Sequence, residues 1–174
     1  MSPYWKEEMT LFKVGDAIIH PVRGAGIVVD LIKRQWHGND KVYYKVKLLS
    51  HPGTNLMIPT STAQTLGLRH VISKSKLKRV WRVLCSAPKE LPSDHKKRYK
   101  ILNDRLHTGD ALQVAGVVRD MTGRRQQKGK LTTVGKRKYE AGINILAGEI
   151  AAVEGVDVSE AEAQIREKLM EVQE

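Results

Sequence analysis

The sequence predicts an α+β protein of two domains, a small antiparallel β-barrel followed by an all-α helical bundle. Three observations predict it. Residues 13–70 carry short apolar runs separated by turn residues about every ten positions, the pattern of a compact all-β module. After Ser73 the apolar spacing changes from alternation to the three-and-four spacing of helices. The positive charge is gathered in that second part, so the two halves differ in surface chemistry as well as in period.

The strands come first. Val14, Ala17, Ile18 and Ile19 form one apolar segment, and residues 27–32 (IVVDLI) another. Val42, Tyr44, Val46 and Leu48 alternate with Lys41, Tyr43, Lys45 and Lys47, the mark of a half-buried strand. Leu56-Met57-Ile58 stops at Pro59, which cannot donate to a ladder. Turn signals lie between them at Gly15-Asp16, Gly24-Ala25-Gly26, His37-Gly38-Asn39-Asp40 and His51-Pro52-Gly53.

Five helices follow. Leu77, Val80, Trp81 and Leu84 define the first, with Trp81 and Cys85 expected to be buried. The second starts at an N-cap at Ser93 or Asp94, carries His95, Tyr99, Leu102 and Leu106 on one face, and ends at Gly109. The third opens at Asp110 with Leu112, Val114, Ala115, Val118 and Met121. Residues 123–130 (GRRQQKGK) read as a basic loop. The fourth runs from about Thr133 with Tyr139, Ile143, Leu146, Ile150 and Val153 inward. The last begins at a capping box, Ser159-Glu160-Ala161-Glu162, followed by Ile165, Leu169 and Val172. The domain boundary falls near residue 70, giving domains 9–70 and 71–174.

The chain has 174 residues and a formal net charge of +11. Residues 1–70 hold nine Lys/Arg against five acids, residues 71–150 nineteen against seven, and residues 151–174 two against seven. A basic middle of this kind favours an anionic partner, nucleic acid or membrane. No apolar run approaches the ~20 residues of a membrane span, and residues 1–8 lack a signal peptide's apolar core. One cysteine, Cys85, rules out an internal disulfide and fits a reducing cytosol. A cytoplasmic monomer is expected.

Enzyme readings find no support. The six histidines have no metal-ligand spacing, Gly24-Ala25-Gly26 leads into a strand instead of a helix, and no Walker motif is present. No cofactor and no metal are expected.

Several segments together resemble the CarD/CdnL family of bacterial transcription regulators. They are residues 12–21 (FKVGDAIIHP) with Gly24-Ala25-Gly26, then Leu66-Gly67-Leu68-Arg69, Pro92 to Leu106, Val117-Val118-Arg119-Asp120 and Gly135-Lys136-Arg137. The likeness covers about residues 9–155, both domains in order. It implies a Tudor-like first domain that binds the β subunit of RNA polymerase, as the equivalent module of transcription-repair coupling factor does. It also implies a helical domain that touches promoter DNA at the upstream edge of the melted bubble and stabilises the open complex, largely without reading sequence. Arg34 matches a polymerase-contacting arginine, and Met57 stands where relatives tend to carry another. Lys100 and Lys136 match lysines that face DNA. His95 stands where the family places a tryptophan wedge.

Around those positions the residues add their own candidates. Lys96, Lys97, Arg98 and Lys100 form a cationic helix start suited to phosphate, with one or two of them expected to be merely solvated. Residues 123–130 with Lys136, Arg137 and Lys138 form a second patch. His95 either meets the DNA edge or packs near Tyr99, where the positive helix end disfavours its charged form. Trp36, beside a turn, is either a contact residue for the polymerase or an isolated exposed ring. Two other functions fit: a general RNA- or ribosome-binding protein, and a paralogue that binds polymerase but lacks a working wedge.

Overall fold

The computed structural model describes residues 10–174; the reading of residues 1–8 as lacking a signal peptide, and the start of the first domain at residue 9, lie outside the described residues. The chain divides into two compact units, Met1–Val71 and Ile72–Glu174.

The first unit is a five-stranded antiparallel sheet: β1 (Ala17–His20), β2 (Gly24–Trp36), β3 (Asn39–Leu48), β4 (Asn55–Pro59) and β5 (Arg69–His70). Its order is β4-β3-β2-β1-β5. The alternation seen in the sequence sets the faces, because successive side chains of a strand point to opposite sides. Val28, Leu31, Tyr44, Val46 and Ile58 turn to one side and bury themselves with Phe12, Ile18, Ala63 and Leu68. The Phe12 amide donates to the Tyr44 hydroxyl at 3.2 Å, so this buried phenol meets a partner inside the core.

The β2–β3 hairpin turns on His37 and Gly38, both at positive φ (48° and 79°). Two such residues between the paired Trp36 and Asn39 make the turn whose twist suits a hairpin. β2 pairs with β1 only over residues 24–27 and with β3 from Gly26 to Trp36, past an irregularity between Val28 and Asp30. The hairpin therefore projects beyond β1, and among the described strands residues 29–36 of β2 pair with β3 alone. Gly26 sits at a close approach of β2 to β3: a Cβ there would lie 2.5 Å from Val46 Cγ1.

The second unit is helical: α1 (Lys74–Leu84), α2 (His95–His107), α3 (Ala111–Lys128), α4 (Thr133–Glu154) and α5 (Val158–Glu171). Ser73, Asp94, Asp110 and Thr132 cap the first four, each accepting a bond from an amide of the first turn. α3 is the central helix, buried from Val114 to Gly123 and packed against α1, α2 and α4, while α5 packs on α4.

Several expectations need correction. The basic segment 123–130 is mostly helix: α3 runs on to Lys128 and stops at Gly129, φ 77°. Gly123 does not break it, because its role is close approach, with an added Cβ falling 2.4 Å from Pro88 Cβ. α5 starts after Asp157, so Ser159 lies inside the helix and the capping box is not used. Trp81 is only partly buried, since it sits one residue past Val80 at the edge of the buried face of α1. Cys85, at the C-cap of α1, is exposed. Val172 is exposed too, because the helix has ended by then.

A buried ionic network joins the helices. Asp120, 1% exposed, accepts from the Lys89 amide at 2.8 Å, from Arg119 Nε at 2.8 Å and from Arg105 Nη1 at 3.0 Å. It thus ties the loop leading to α2 and the body of α2 onto α3.

Candidate polymerase and nucleic-acid interfaces

In the sheet unit, the register decides which side chains share a surface. Arg34 lies opposite Lys41, Trp36 opposite Asn39 and Met57 opposite Lys45. Residues 39, 41, 43 and 45 alternate with the core-facing Tyr44 and Val46, so all three candidates stand on the face turned away from the core. The same face holds Ile32, opposite Tyr43, which is itself opposite Pro59. All of these are at least partly solvent-accessible. Trp36 is 64% exposed, its ring edge-on to His37 at 5.3 Å. Arg34 is exposed and makes no salt bridge among the described residues. The result is an apolar stripe with basic margins, bordering the edge of β2 opposite β3.

In the helical unit, the cations predicted at the start of α2 divide. His95, Lys96, Lys97 and Lys100 are exposed. Arg98 is not: it is 5% exposed, and its Nη1 donates to the carbonyls of Pro92 and Ser93 at 2.9 and 2.8 Å. Arg98 therefore fastens the entry to α2 instead of presenting a free charge. Lys100 pairs with Asp104 at 2.9 Å, an exposed i,i+4 contact of small energetic weight. Lys136 and Arg137 are exposed in the first turns of α4.

What the structure brings together is the start of α2 and the start of α4. The Tyr99 hydroxyl lies 2.6 Å from Thr132 Oγ1, the oxygen that also caps α4 by accepting from the Gly135 amide. Lys138 bonds to Asn103 and stands 5.6 Å from the centre of the Tyr99 ring, while the His95 ring meets Tyr99 edge-on at 6.3 Å. The bond to Thr132 holds the Tyr99 hydroxyl below the usual tyrosine pKa, with Arg98 and Arg124 adding to the effect. Thr132 is 33 residues from Tyr99, a separation that no local pattern bridges; the sequence signal was limited to basic residues at both places.

The placement of charge is informative. A helix N-terminus carries partial positive charge and unsatisfied amides, so stability favours acids in the first turn. Apart from the capping carboxylate of Asp94, which accepts from the Lys97 amide, neither α2 nor α4 has an acid at its start. Lys96 and Lys97 occupy the first turn of one, and Lys136 with Arg137 follow closely in the other. Two adjoining helix starts loaded with cations against the dipole form a surface suited to phosphate.

Among the described residues, no group of three or more His, Cys, Asp or Glu is gathered as a metal site, and no helix is long and apolar enough to cross a membrane.

A sheet module with an exposed apolar and basic face, followed by a basic helical bundle with two adjoining cationic helix starts, defines a two-part protein. Family comparisons agree in both parts. Residues 12–72 match the CarD-like/TRCF RID domain, and residues 79–166 match the CarD C-terminal domain. The chain is also similar to the Bacillus subtilis (strain 168) protein named "Putative transcription factor YdeB", with 27% identity over 146 residues, covering 84% of this chain and 94% of that protein. The chain belongs to the CarD/CdnL family, and is a non-enzymatic transcription regulator that interacts with RNA polymerase.

Proposed function

We propose that the sheet unit binds the β subunit of RNA polymerase, and that the helical unit contacts promoter DNA at the upstream edge of the transcription bubble, tuning open-complex stability. The observation that carries the DNA half is the junction of two cationic helix starts at Tyr99 and Thr132. His95, Lys96, Lys97 and Lys100 on α2, with Lys136 and Arg137 on α4, supply contacts that position the bundle on phosphates without reading base edges. Arg98 supports this surface from within.

For the polymerase half, residues 29–36 of β2 pair with β3 alone among the described strands, and this edge is where a strand of the partner can extend the sheet. Arg34 and Trp36 lie along that edge and Met57 on the same face. Once docked, the bundle is held near the bubble at high effective concentration, so weak phosphate contacts suffice. A methionine at position 57 forgoes the charge that relatives tend to place there, leaving Arg34, Lys41 and Lys45 as the cations of the docking face.

The wedge is where a second reading enters. An imidazole covers far less apolar area than an indole, and apolar wedges hold open a base step that costs a few kcal/mol to unstack. His95 is exposed and edge-on to Tyr99, a geometry that favours a protein that docks on polymerase and DNA but stabilises the bubble weakly. The test is promoter-complex lifetime with purified polymerase. His95→Trp lengthens it and His95→Ala changes it little; a collapse with His95→Ala at unchanged polymerase affinity would overturn the weak-wedge reading. Recovery of ribosomal RNA without polymerase from a bacterial lysate would overturn the regulator reading itself.

A further inference from the structure

The helical unit contains a concave pocket of about 300 Å³ that opens beside the Tyr99–Thr132 junction and is lined further by residues the DNA reading does not use, Arg124, Lys128 and Lys130. Arg124 and Lys128 reach it from the end of α3, four residues apart and so on one face of the helix. Lys130 enters from the link after Gly129, whose left-handed φ of 77° turns the chain back. Arg98 comes from α2, and Thr132 and Gly135 from the start of α4. Met121 and Leu131 supply apolar wall.

Four cations line this pocket and no acid does; Arg98 is held by the Pro92 and Ser93 carbonyls, so Arg124, Lys128 and Lys130 supply the free charge. Arg124, Lys128 and Lys130 have no salt-bridge partner among the described residues. Like charges gathered in a concavity repel one another and destabilise the folded unit unless an anion neutralises them, because low-dielectric walls focus the field.

We propose that this pocket binds a polyphosphate anion, of the kind carried by pyrophosphate or by the terminal phosphates of a nucleoside di- or triphosphate. The charge count favours that class over nucleic-acid backbone. A phosphodiester carries one charge between two sugars, whereas a terminal polyphosphate brings several to one point and can enter a pocket end-on. The four cations arise from three separate segments that converge, as a compact multivalent anion requires. The inference goes beyond the polymerase and promoter reading, because the occupant is a diffusible ligand and binds the isolated full chain.

Titration calorimetry of the full chain with inorganic pyrophosphate tests it, at constant ionic strength, with orthophosphate and chloride as comparators. Saturable pyrophosphate binding is expected, at least tenfold tighter than orthophosphate. Arg124→Gln combined with Lys130→Gln weakens it tenfold or more, while Lys78→Gln on α1 leaves it unchanged. Circular dichroism checks that the double variant is folded, and Lys128→Gln alone gives an independent loss. Binding no stronger than that of chloride overturns the proposal, as does binding indifferent to the pocket variants. If those variants weaken a short DNA duplex while pyrophosphate fails to bind, the pocket is a subsite for nucleic-acid backbone and the small-anion assignment falls.

Discussion

Replacing Asp120 with alanine should destabilise the helical unit by about 3 kcal/mol, a magnitude that follows from the groups it leaves behind. Three donors converge on this carboxylate: the Lys89 amide, Arg119 Nε and Arg105 Nη1. The Asp120 side chain is fully buried, that of Arg119 is 10% exposed and that of Arg105 30%. Breaking a buried pair by removing one partner costs about 3–5 kcal/mol, since the other charge remains without compensation. Arg105 can turn toward water, and Arg119 keeps its bond from Nη1 to Ser86 Oγ at 3.0 Å, which places the expectation at the low end. For a unit spanning Ile72–Glu174, each kcal/mol moves the melting temperature by roughly 4–8 °C, so a fall of about 12–24 °C is expected. Thermal unfolding followed by far-ultraviolet circular dichroism reads it, because all five long helices lie in this unit. Because Asp120 also holds the loop before α2, promoter binding should weaken even below the melting transition. A loss under about 1 kcal/mol would refute the view that this carboxylate organises the bundle.

Three further outcomes are expected. Arg34→Glu should abolish polymerase binding in a pull-down while the circular dichroism spectrum stays unchanged; retained binding would remove Arg34 from the interface. Gly123→Ala should destabilise by about 1–3 kcal/mol, as overpacking does, because its Cβ would meet the Pro88 ring at 2.4 Å; chemical denaturation measures it. His20 should make the sheet unit acid-sensitive. Its Nδ1 accepts from the amides of Val22 and Arg23 at 3.0 and 3.1 Å, and burial, then Arg23, hold its pKa below the ordinary 6.5. A depressed pKa means the stabilisation is present above pH ~6.5 and is lost as pH falls through the folded-state value. His20→Asn, whose Oδ1 can accept in place of Nδ1, should flatten that dependence in a pH series of unfolding curves.

Much of the fold could be read from period alone. β1 to β4 and all five helices follow from alternation or three-and-four spacing, because burial on one face imposes those periods. β5 could not be read, since two residues have no period and Arg69 and His70 become a strand only by pairing with Ile19 and Ile18. The length of α3 was hidden for a different reason: Gly123 looks like a breaker until Pro88 is seen against it. The sites were readable as composition but not as geometry. A basic run announces cations, yet nothing local says that Arg98 turns inward to two carbonyls freed by the Pro92-Ser93 entry. Nor does it say that Tyr99 joins two helix starts, or that Arg124, Lys128 and Lys130 converge.

The most direct test of the account is a structure of the protein bound to RNA polymerase on a melted promoter. The account predicts the outer face of the sheet, with Arg34 and Trp36, against the β subunit. It also predicts Lys96, Lys97 and Lys136 within hydrogen-bond reach of phosphates upstream of the bubble, with His95 at its edge. A complex in which the starts of α2 and α4 face solvent, with the bundle away from DNA, would contradict it.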